Sequence, residues 1–163
     1  ELTKEIGALI GVPMEATDRV DPLFKNEEEL EDVNIELNFP RFLPDNYIEK
    51  NEKIKIYKRA LALKTFEELE DLHKELEDRF GRLKSEAKGF FEFLKIRIRA
   101  RELGIVSIKE DKEKRILINF NEEKINVDKI IYLLANKKIS YLKFTQTIGF
   151  EGDIFEFFDL YSN

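Results

Sequence analysis

At 163 residues the chain suits one ordinary globular core, and 42% hydrophobic with 38% charged residues is the composition of a folded protein with a water-facing surface. It has no cysteine, which excludes disulfides, thiolate zinc sites and thiol nucleophiles together, fits a reducing cytoplasmic setting and leaves any metal chemistry to carboxylates. A formal net charge of -6 disfavours direct nucleic-acid binding and better suits a basic protein surface, and no apolar run approaches the roughly 18 residues of a membrane span.

Residues 1–32 differ from the rest. "GALIGVPM" is a short apolar stretch broken by Gly7, Gly11 and Pro13, and "EEELED" is almost wholly acidic, so this region reads as a tail or linker from a preceding region. With no charged-then-apolar leader before it, the chain reads as a piece of a longer soluble protein, its ordered domain running from Val33 to Asn163. "VNIELNF" alternates Val33, Ile35, Leu37 and Phe39 on one face, as a strand with one wet side does. Pro40 ends the pairing, and "PRFLPDNYI" should run extended, pinned by Phe42, Leu43, Tyr47 and Ile48.

From Glu52 to Leu63, Ile56, Tyr57, Ala60 and Leu61 recur at helical spacing. A second helix opens on the Thr65–Glu68 capping box, carries an apolar stripe of Phe66, Leu69, Leu72, Leu76 and Phe80, and stops at Gly81. A third, from Ser85 to Gly104, spreads apolar residues around much of its circumference and should be covered on more than one side. The period then changes to two. Val106 and Ile108, then Ile116, Ile118 and Phe120, flank "EDKEK" as a hairpin. A short helix capped by Asn126 should turn Val127, Ile130, Ile131 and Leu134 inward, "SYLKFT" reads as a strand, and an Asp153-capped helix places Ile154, Phe157, Phe158 and Tyr161 at helical spacing. Helices followed by strands, without strict alternation, predict α+β: a small single domain with a helical layer packed on a short, mainly antiparallel sheet.

Signatures of nucleotide-binding and zinc enzymes are missing, and His73, the only histidine, lies beside the second helix's apolar stripe, as a core-edge residue does. The 34 acidic residues are too many for any chosen pair to signal carboxylate catalysis. Lys95, Arg97, Arg99 and Arg101 read as solvated flanks of the third helix, or alternatively as the contact of a nucleic-acid-binding accessory module. On the second helix, at ~100° per residue, Glu67, Asp71, Glu75 and Asp78 share an acidic face opposite the stripe. Glu75 and Asp78 stand near the negative end of the helix, where anions cost a few tenths to about 1 kcal/mol; Arg79 is within reach of Glu75 at i+4, while Asp78 has only Lys74 behind it.

Three ordered stretches, "FPRFLPDNYI" (39–48), "IKIYKRALALKTFEELEDLHKELEDRFGRL" (54–83) and "LKIRIRARELGI" (94–105), resemble the C-terminal (TRCF) domain of bacterial transcription-repair coupling factors, the Mfd family. The likeness is carried by Leu43–Ile48, Tyr57–Arg59, Glu75–Gly81 and Leu103–Ile105 and departs at "FGRLK", which lacks the family's usual Pro. It implies a regulatory domain without catalysis or cofactor of its own, the ATP- and Mg-dependent DNA translocase motor lying elsewhere in the parent protein. In that family the domain docks on an N-terminal UvrB-like module and masks the surface that recruits UvrA, an autoinhibition relieved at stalled RNA polymerase. The resemblance carries the contact onto Glu75, Asp78 and Arg79, with Asp71 on the same face, and implies neither a direct nucleic-acid nor a membrane partner.

Overall fold

In the computed structural model, residues 33–142 and 147–163 are described, so the tail expected over 1–32 and the second half of "SYLKFT" lie outside the described residues. The helices and strands fall into two compact units: residues 39–98, and residues 33–38 with 99–163. The structure bears out the α+β class, with five helices and a five-stranded, mostly antiparallel sheet among the described residues.

The first unit is helical. It holds α1 (Lys50–Leu61), α2 (Phe66–Phe80) and all of α3 (Ser85–Leu103) up to Ile98. Ile56 and Tyr57 of α1, Leu72 and Leu76 of α2, and Phe90 and Leu94 of α3 are at most 1% exposed. Each such side chain contributes about 1.5–3 kcal/mol by leaving water. Thr65 caps α2 by accepting from the Glu68 N–H at 3.1 Å, and Glu68 in turn accepts from the Thr65 hydroxyl. At the other end Gly81, at φ +86°, reverses the chain in a conformation that a side chain would strain. Its carbonyl accepts from the Tyr47 hydroxyl at 2.7 Å, which ties the end of α2 to the proline-rich segment.

That segment is held in place by a close approach. A Cβ on Gly89 would come within 1.8 Å of the Pro40 carbonyl oxygen, so α3 must be bare there for the Pro40–Arg41 backbone to cross it. Beyond the crossing, Arg41 is buried with its guanidinium over the Phe39 and Phe93 rings at 5.4 and 5.0 Å, and the Tyr57 hydroxyl accepts from the Leu43 N–H at 2.9 Å. Phe66 departs from the expected stripe. At the first position of α2 it remains 42% exposed, because the buried seam begins one turn later at Leu69.

The second unit is the sheet with its two short helices. β1 (Asn34–Glu36), β2 (Ile105–Glu110), β3 (Ile116–Phe120), β4 (Ser140–Leu142) and β5 (Thr147–Phe150) lie in the order β1-β2-β3-β5-β4; only β1 and β2 run parallel. The β2–β3 hairpin turns at Asp111, whose carboxylate accepts from the Glu113 and Arg115 N–H groups. β1 is shorter than the alternation of residues 33–39 suggested: Val33 and Ile35 are buried, and the strand ends before Leu37. β5, absent from the sequence reading, is an inner strand buried at all four positions, which removes the polar alternation that would have marked it.

Helix α5 (Ile154–Ser162) buries Ile154, Phe157, Phe158 and Tyr161 as its spacing requires. Phe157 packs on Phe150 and Phe120, and the Tyr161 hydroxyl accepts from the Asn126 N–H at 2.7 Å. Helix α4 (Val127–Ala135) is rotated from expectation: Ile130 and Leu133 are buried, whereas Val127 and Ile131 are 55% and 57% exposed. Apolar residues at 127, 130, 131, 133 and 134 allow either of two faces to turn inward, and tertiary packing selects one.

Candidate functional site

Because Leu69, Leu72 and Leu76 turn into the core, the opposite side of α2 must face water, and Glu67, Asp71, Glu75 and Asp78 are at the surface, Glu75 only partly exposed. Asp71 and Asp78 project freely; neither carboxylate makes a hydrogen bond or ion pair with another described residue, Lys74 included. Glu75 is different. Arg59 of α1 grips it with both arms of the guanidinium, Nη1 to Oε2 at 2.6 Å and Nη2 to Oε1 at 2.9 Å. Arg79 donates to the same Oε2 at 3.2 Å, reaches Glu52 of α1 at 3.1 Å with its other arm, and lies over the Phe80 ring at 4.8 Å.

These four residues form a neutral cross-brace between α1 and α2. The hydrogen bonds and charge of Arg59, supplemented by Arg79, hold the Glu75 carboxyl down at about 2, and the same pairing raises Arg59. The i+4 contact of Glu75 with Arg79 follows from the sequence alone. Glu52 and Arg59 were missed, although a signal existed: seven residues apart, they lie within ~20° of each other on one side of α1. What the sequence lacked was the packing of that side beside α2.

The other candidates separate. His73 is an edge residue, tilted against Phe91 at 5.0 Å and 3.5 Å from Glu77. The four basic residues of α3 do not make one strip. Lys95 is exposed and 3.4 Å from Glu92, while Arg99 reaches Glu102 at 2.9 Å and Ser162 at 2.6 Å. Arg97 corrects the solvated-flank reading outright: at 0% exposure it is among the largest fully buried side chains, because α3 is enclosed on that side too. In the second unit an open groove of about 570 Å³ is lined by Arg115, Lys137, Lys138, Ser140, Glu151 and Glu156, charges of both signs, and contains none of the expected site residues. Among the described residues no cluster of three or more His, Asp or Glu side chains could hold a metal, and no helix is long and apolar enough to cross a membrane.

The family model for the TRCF domain matches residues 37–130, which includes both α1 and α2 in full. The chain belongs to the TRCF-domain family. Among TRCF-domain relatives, the transcription-repair-coupling factor of Escherichia coli (strain K12) is 35% identical over 137 residues, 76% of this chain. That of Borreliella burgdorferi is 36% identical over 107 residues, 64% of this chain. The chain spans only 12% and 9% of the lengths of these two proteins. A crystal structure of the C-terminal domain of transcription-repair coupling factor has the same fold, with a TM-score of 0.65 over 80% of this chain and 87% of that one, at 20% identity.

Proposed function

We propose that this TRCF domain is a non-catalytic regulatory module of a transcription-repair coupling factor, an ATP-dependent DNA translocase of the cytoplasm that displaces stalled RNA polymerase and recruits nucleotide excision repair. In this reading it docks on the parent protein's N-terminal UvrB-like module and keeps UvrA from binding until the factor engages polymerase. The observation that carries the reading is the exposed charged face of α2, where the Glu-Leu-x-Asp-Arg residues Glu75, Asp78 and Arg79, with Asp71, stand at the surface on a helix anchored from behind by three buried leucines. A face so held has little ordering cost left when a partner arrives. Burial of Arg97 and the pairing of Lys95 and Arg99 speak against the basic helix as a nucleic-acid contact.

The experiment is docking of this chain to the UvrB-like module, measured with and without Asp78→Lys and followed by UvrA competition. Asp78 is the cleaner position to reverse, since Glu75→Lys would set a third cation against Arg59 and Arg79 and break the brace as well. Weaker docking and freer UvrA binding are expected for Asp78→Lys; unchanged docking would remove the face from the interface.

A further inference from the structure

The cross-brace changes what kind of surface can land on this face. Glu75 meets any incoming group with both oxygens already engaged and two guanidinium groups beside it. The four braced residues, Glu52, Glu75, Arg59 and Arg79, sum to zero charge, so they do not form the anionic centre that α2 suggests when viewed alone. Arg59 and Arg79 remain 50% and 44% exposed, and each guanidinium carries more N–H donors than the two it spends on these carboxylates. Beside them Asp78 offers a carboxylate with no partner among the described residues.

Resting on the docking reading above, we infer that the partner surface is of alternating charge, placing a carboxylate against the spare donors of Arg59 and Arg79 next to a cation against Asp78. A purely basic surface would bring its cations up to two guanidinium groups, and like charges brought together across an interface are penalised rather than merely neutral. The bidentate geometry matters as well. Arg59 sets the direction of the Glu75 carboxylate, which a flexible lysine would hold less firmly.

The two kinds of partner give opposite signs for one substitution. In titrations of this chain against the UvrB-like module at low salt, Arg59→Gln is expected to weaken binding by about five- to tenfold, with Arg59→Lys intermediate. Unchanged or tighter binding by Arg59→Gln would overturn the inference, because a wholly basic partner gains when a repelling cation is removed. Asp78→Lys in the same titration tests the face itself: if it binds like the wild type, the docking reading fails and this inference with it. If Asp78→Lys weakens binding while Arg59→Gln tightens it, the face stands and only the alternating-charge partner is lost. Thermal melts of each variant confirm that folded chains are compared, and Arg79→Gln, which removes the other exposed cation of the brace, carries the same sign test should Arg59→Gln prove unstable.

Discussion

Helices α2 and α3 each carry a run of like charge, and the fold treats the two runs in opposite ways. On α2 the acids occupy one side of a helix whose other side is a leucine seam, so they stay together at the surface. On α3, Phe90, Phe91, Phe93, Leu94, Ile96 and Ile98 are all buried, so only a narrow side through Lys88, Glu92 and Lys95 is left to solvent and the basic residues are dealt to different environments. A charge run therefore marks a surface only where the apolar residues of the same helix are confined to the opposite side. α2 satisfies that condition and α3 does not.

The sharpest way to break this contrast is at Arg97. With its side chain fully buried, Arg97→Ala removes packing and strands whatever the guanidinium satisfies, and should cost about 3 kcal/mol or more in urea unfolding. Lys95→Ala, two residues earlier on the exposed side, should stay within about 0.5 kcal/mol. Similar effects at the two positions would mean that α3 is not enclosed as described.

A smaller effect is expected at the brace, and pH resolves it. The folded-state value of Glu75 lies below its ordinary 4.5, at about 2, so the pairing contributes stability in full above the unfolded value and loses it as the pH falls from there toward the folded one. Carboxyl NMR titration should find Glu75 near that low value in the wild type and well above it in Arg59→Gln. The stability difference between the two proteins, of the order of 1 kcal/mol or less for so exposed a pair, should close as the pH is lowered through the same window. A Glu75 titration unmoved by Arg59→Gln would show that Arg79 alone sets it.

The smallest effect belongs to Asp78. An unpaired anion in the last turn of α2 opposes the helix dipole, so Asp78→Asn should leave stability unchanged or raise it by a few tenths of a kcal/mol in thermal melts. A clear loss of stability would mean that Asp78 serves the fold rather than a partner.

The sequence by itself determined the helices with strong punctuation and one-sided patterns. Thr65 and Gly81 bracket α2, Asp153 opens α5, and in both helices the spacing of apolar residues named most of the buried side. It also determined the acidic face, since a leucine stripe at helical period leaves the remaining positions nowhere else to go. Family membership was equally legible, because it rests on the order of short motifs in the chain. Tertiary structure decided the cases in which local pattern permits two answers: the side of α4 that turns inward, the inner strand β5 with no polar alternation, and the depth of Arg97. It decided the character of the candidate site too. Glu52 and Arg59 are 23 and 16 residues away in the chain from Glu75, and no periodicity within one helix can say which residues of another will meet it. Only the packing of α1 against α2 turns an acidic stripe into a braced patch of both charges, because a charge is defined by its neighbours in space.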